Sequence, residues 1–156
     1  MKYLLSTFVL LIITSCTVDQ PEFDTPEFID FTAQNEEEII AFIADNDLDA
    51  IRSETGLYYV VNNLGTGTQP NSNSDVVVSY TGSFTNGDVF DQSGSEGISF
   101  NLQNVIAGWT EGITYFREGG DGILLIPSHL GYGSFEFAGI PAGSVLVFDI
   151  NLISGD

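Results

Sequence analysis

From Val145 to Leu152 apolar and polar residues take turns along the chain. Leu146, Phe148, Ile150 and Leu152 fall on one side, and Val147, Asp149 and Asn151 on the other. A period of two marks a strand with one buried face. The stretch DVVVSYTGSF repeats the pattern, with Val76, Val78 and Tyr80 on one side. Three further β-rich runs follow the same logic: GLYYVVNNL, GISFNL and the wholly apolar GILLIP. A short DVFD segment follows an Asn86-Gly87 turn, and a glycine-studded loop, GTGTQPNSNSD, closes the first run. Five or six strands result, mostly joined as hairpins, which predicts an antiparallel sheet.

Two segments change period. Ile106, Trp109, Ile113 and Phe116 are spaced three, four and three apart, one face of a short helix. Within it VIAGWTEG seats the only tryptophan of the chain between glycines. A glycine inside a helix costs roughly 1 kcal/mol against alanine. Such a turn is expected where backbone must approach a neighbour closely. Upstream, Ile39, Phe42 and Ile43, with Ile40 beside them, form an apolar stripe in an acidic segment. Asn35 as N-cap and Glu36, Glu37 and Glu38 in the first turn predict a helix within 36–54, ended or interrupted by Asn46 and Asp47. One helix held by a curved antiparallel sheet, with a second helix ahead of it, is an α+β architecture.

Charge removes one class of function. The 156 residues carry 22 acidic and three basic side chains, a net charge of −19. That balance repels phosphate backbones, so nucleic acid is excluded as a partner. The acidic residues lack the spacing of a calcium loop, and no metal or cofactor is implied. His129, the single histidine, lies in a loop without a cysteine or serine partner and receives no role.

The first residues read as an address. Lys2 precedes an apolar run from Tyr3 to Ile13, too short to span a bilayer and suited to a signal-peptide core over 1–15. Ile-Thr-Ser-Cys, ending at Cys16, resembles a bacterial lipobox, which implies lipidation of that sole cysteine. Several acyl chains there would hold the protein on a membrane of the cell envelope. Residues 16–35 mix Pro, Asp, Glu and Phe without period, as a flexible tether would.

Four motifs, VVVSYTGSFTNGDVFDQS, VIAGWTEGI, ILLIPSHLGYG and IPAGSVLVFDINLI, resemble the FKBP-type peptidyl-prolyl isomerases in order and spacing. The resemblance covers roughly residues 55–156 and implies a sheet wrapped around a short helix, with the active site between them. Carried over by motif, it implies a pocket built from Tyr80, Phe90, Asp91, Val105, Ile106, Trp109, Tyr132, Ile140 and Phe148. The Trp109 ring would form the floor for a substrate proline, and Ile106 would offer its N–H to a ligand carbonyl. Proline-containing proteins are the implied substrates, an FK506-type macrolide a possible ligand, and a monomer the expected state. The lipidation signal and acidic helix are similar to the lipoprotein members of Bacteroidetes, including those associated with gliding motility.

The chain also departs from the family. Many members carry an arginine after the Phe-Asp pair; here QSGSEGIS follows Asp91, which must find neutral donors or water. The stretch Ile98–Val105 is short, so Ile98 or Phe100 must replace an aromatic on the pocket side. Gly139 stands where a branched side chain is common. Two functions stay open on these residues: an isomerase for extracytoplasmic folding, or a noncatalytic binding module in a surface or motility complex.

Overall fold

The computed structural model describes residues 28–156. The signal segment, Cys16 and most of the 16–35 tether lie outside the described residues. Seven strands form one antiparallel sheet: β1 (Ile51–Arg52), β2 (Tyr58–Asn63), β3 (Asp75–Ser83), β4 (Val89–Gln92), β5 (Ile98–Asn101), β6 (Gly120–Ile126) and β7 (Leu146–Gly155). Their order is β1-β2-β6-β7-β3-β4, and β5 also pairs with β3. Two helices flank the sheet, α1 (Thr32–Asp45) and α2 (Ala107–Gly112). The α+β class stands; the strand beyond the expected five or six is the two-residue β1.

Alternation along β7 assigns its two faces as the sequence implied. Leu146, Phe148, Ile150 and Leu152 join Val76, Val78, Tyr80, Trp109 and Phe116 in the main core. The helix α2 lies on this face, and its glycines explain the fit. A Cβ at Gly108 would meet Ile126 at 2.5 Å, and one at Gly112 would meet Leu124 at 2.7 Å. Any larger residue would push the helix off β6, so the helix-propensity cost of glycine is offset by close packing.

The opposite face is covered by α1. Ile39 packs with Tyr58, Leu125, Val145 and Val147, and Phe42 and Ile43 lie at the edge of this second cluster. Here the expected helix limits need correction. The helix starts at Thr32 and ends at Asp45, and Ile51–Arg52, expected inside it, is strand β1. Asn35 is no N-cap: it sits in the helix, fully buried. Its side-chain amide donates to the Gly143 carbonyl at 2.8 Å, and its Oδ1 accepts the Ser128 N–H at 2.8 Å. A buried amide with both ends satisfied is worth more there than at a frayed terminus. The first turn is served instead by Asp30, whose Oδ1 accepts the Thr32 N–H at 2.9 Å. Beyond Asn46 the chain turns at Asp47, which adopts φ 51° and so leaves the helix.

Candidate active site

The helix α2 is short, and what it positions is one ring. Trp109 is 4% exposed and meets three other rings edge-on: Tyr80 at 5.1 Å and 88°, Phe100 at 5.3 Å and 75°, Phe148 at 5.3 Å and 81°. Edge-to-face contacts of this kind are each worth about 0.5–1.5 kcal/mol beyond area burial. Together they fix the plane of the indole. Its Nε1–H has no acceptor among the described residues. An unsatisfied buried donor costs about 1–3 kcal/mol, so the ring is placed for its face rather than for a hydrogen bond.

Around the indole opens a cavity of about 380 Å³, also walled by Phe90, Val105, Ile106 and Asn104, with Tyr132 at its lip. Phe90 stands edge-on to Phe148 at 5.5 Å and is backed by Phe84 at 5.0 Å. Gly82 makes room for this pair, since a Cβ there would meet both rings at 2.8 Å. Ile106 is extended (φ −61°, ψ 149°) just ahead of α2. Its carbonyl accepts the Trp109 and Thr110 N–H groups, while its own N–H precedes the first helical bond.

The polar part of the cavity is Tyr80, Asp91, Asn104 and Tyr132. The Tyr80 hydroxyl donates to Asp91 Oδ2 at 2.7 Å, supplying the neutral donor that the missing arginine leaves Asp91 to find. Burial first, and then the Asp91 carboxylate, pushes the Tyr80 phenol well above its ordinary value. Burial and the same carboxylate also raise Tyr132. Both phenols therefore stay protonated at neutral pH, Tyr80 as the donor to Asp91 and Tyr132 with a hydroxyl able to donate to a ligand.

Eight of the nine residues implied by the family motifs thus border one cavity. Ile140 does not: it is 6% exposed and belongs to the core behind the wall, where it forms an isolated bridge with Phe137. Of the two replacements for the missing aromatic, Phe100 lines the cavity, and Ile98, 43% exposed at the other end of β5, does not. Alternation along Ile98–Asn101 could not choose between them, because the two residues share one face of β5 and pair with Val78 and Val76, both core residues. Asn104, also in the wall, carried no sequence signal. Gly139 has φ 86° and open space about it, a backbone state that itself selects glycine there.

Among the described residues the cup is lined mainly by aromatic and aliphatic side chains with one hydroxyl–carboxylate pair, and its shape and lining suit a small apolar ring. The sequence signature of the FKBP-type peptidyl-prolyl cis-trans isomerases matches residues 66–153, more than half of the chain, which therefore belongs to that family. Among relatives, FkpA of Escherichia coli strain K12, an FKBP-type peptidyl-prolyl cis-trans isomerase, is 45% identical over 103 residues, covering 65% of this chain and 38% of that protein. FkpA of Buchnera aphidicola from Schizaphis graminum is 43% identical over 105 residues, covering 65% of this chain and 42% of its own. The chain thus spans about two fifths of the length of the curated relatives it matches. The crystal structure of Escherichia coli FkpA superposes with a TM-score of 0.72 at 38% identity, covering 80% of this chain and 61% of that one. A peptidyl-prolyl cis-trans isomerase from Pseudomonas syringae pv. tomato superposes at 0.69 with 30% identity, over 80% of this chain and 96% of its own.

Proposed function

We propose that this chain isomerises X–Pro bonds in proteins outside the cytoplasm. The observation that carries the reading is the Trp109 face, fixed by three rings at the base of a 380 Å³ apolar cavity. The bond it would act on rotates over a barrier of about 18–20 kcal/mol because the planar amide is resonance-stabilised. No electron pair or proton need move for that rotation. In the twisted state conjugation is lost and the amide is less dipolar. A cavity walled by Phe90, Phe148 and Trp109 solvates the planar form poorly, and so lowers the barrier by difference. Each 1.36 kcal/mol of such difference gives about tenfold in rate.

The side chains then divide the work. Trp109 supports the proline ring, and Phe90, Val105 and Phe148 exclude water from it. The Ile106 N–H is the donor offered to a carbonyl of the substrate. Tyr80, held by Asp91, and Tyr132 supply hydroxyls at the lip. The same cup would accept the ring of an FK506-type macrolide, with the monomer as the working unit. Lipidation at Cys16 would place the domain on a membrane of the envelope; Cys16→Ala should then move the protein to the soluble fraction.

Acceleration of a proline-limited refolding reaction tests the activity. Pure protein should speed the slow phase, and Trp109→Leu should lower kcat/KM by about tenfold or more. A protein that binds prolyl peptides yet leaves the slow phase unchanged would be a binding module instead.

A further inference from the structure

Val105 has cavity on both sides. Beyond it lies an open groove of about 850 Å³ formed with Gln69, Pro70, Thr110, Glu111 and Tyr115. Because Val105 borders both spaces, a chain seated in the aromatic cup and continuing past this residue enters the groove. The groove has its own chemistry. Glu111 is half-buried, and its carboxylate accepts the Thr55 hydroxyl at 2.6 Å and the Tyr115 hydroxyl at 2.8 Å. Tyr59 stacks on Tyr115 at 4.2 Å and 15°, which holds that ring beside the carboxylate. Among the described residues, no lysine, arginine or histidine lines the groove.

Burial alone would push the Glu111 carboxyl up, but hydrogen bonds from Thr55, Ser53 and Tyr115 outweigh it and hold the group below its ordinary value. Burial and Glu111 raise the Tyr115 phenol to about 12, so it remains a donor. The groove therefore presents a fixed negative charge whose existing partners are all neutral. A carboxylate beside an aromatic ring suits a guanidinium, which can pair with the one and stack on the other.

We propose that this groove is an extension of the substrate site that receives a basic side chain near the proline, with Glu111 as its counter-charge. The assignment rests on the isomerase reading for the identity of the chain that enters. It makes the domain selective for clients carrying arginine within reach of a proline, beyond the diffuse attraction of an acidic surface.

Peptides that share one X–Pro bond and carry a single arginine, or glutamine in its place, at successive flanking positions provide the test. Turnover is measured as kcat/KM, and binding of the same peptides is measured separately by calorimetry. At one flanking position the arginine peptide should be favoured about fivefold, chiefly through KM and binding, as expected for a partly exposed ion pair. Glu111→Gln keeps an acceptor for one of the two hydroxyls and turns an N–H toward the other, which can accept, and should bring that ratio close to one. Glu37→Gln, which removes an exposed charge from α1 on the opposite sheet face, should leave the ratio unchanged. Ala107→Lys, which places a competing cation at the groove while keeping Glu111, should also abolish the preference. Equal kcat/KM and equal affinity for both peptides overturn the proposal. So does a preference that survives both groove variants, since overall charge would then be its source. If no peptide is turned over but arginine still binds better through Glu111, the groove stands and the isomerase reading fails.

Discussion

The two faces of β7 carry opposite solutions to one problem, how to keep water off an apolar surface. On the inner face Leu146, Ile150 and Leu152 are sealed by the core, and α2 lies close through Gly108 and Gly112. Only around Phe148 and Trp109 does the seal open into a cup. On the outer face Val147 and Leu125 are covered by α1, and a buried polar residue, Asn35, sets where that cover sits. The open side is shaped by packed rings with one hydroxyl–carboxylate bond in the cavity, the closed side by packing plus a buried amide latch. An apolar surface left uncovered at the centre of a sheet is where ligand chemistry belongs, since anything else would have been buried.

Substitutions can break this contrast in turn. Phe148→Ala should have the largest effect, about 3–5 kcal/mol in denaturant unfolding, because it removes core volume and one of the rings that fix Trp109. The outward-facing Val147→Ala should cost about 1 kcal/mol. Asn35→Ala leaves the Gly143 carbonyl and the Ser128 N–H buried without their partner, and should cost about 2–3 kcal/mol. A cost near zero would mean that α1 is a passive lid. Gly108→Ala gains helix propensity yet drives a methyl toward Ile126, and should be net destabilising by about 1–2 kcal/mol.

Tyr80→Phe separates site from scaffold. It removes the hydroxyl bound to Asp91 and should cost under about 1 kcal/mol of stability. Its kcat/KM should fall by about threefold to tenfold, and loss of stability without loss of activity would remove the hydroxyl from the site. The smallest effect is acid loosening of α1. Arg52 first, and then Tyr58, hold Glu36 below its ordinary value of 4.5. Stability from this contact is present above the unfolded value and is lost as pH falls through the folded one. The pair is largely exposed, so solvent screening keeps this effect the smallest of the set. Amide exchange should show α1 opening on acidification before β7 does.

What was legible in the sequence follows from the same contrast. Alternation reports which side of a strand is dry, so the inner-face residues from Val76 to Leu152 could be read directly. The motifs then brought eight cavity residues together. Asn35 was misread because an asparagine ahead of an apolar stripe is a capping signal, and its true partners lie 108 and 93 residues away. Ile140 sat beside a motif proline but faces the core, a matter of depth that spacing does not encode. The groove around Glu111 combines residues from the loop after β2 with the outer turn of α2, and no periodicity links them.

The way the chain enters this domain has a mechanical consequence. The Ile29 carbonyl accepts the Ser134 hydroxyl at 2.5 Å, Phe31 packs directly against Gly143, and the Gly143 N–H donates to the Gly133 carbonyl at 2.9 Å. These contacts flank Tyr132, the phenol at the cavity lip. Tension applied upstream of Phe28 would therefore reach the mouth of the cup before it reached the sheet. Ahead of the Asn35 latch, that load would meet side-chain contacts rather than paired strands.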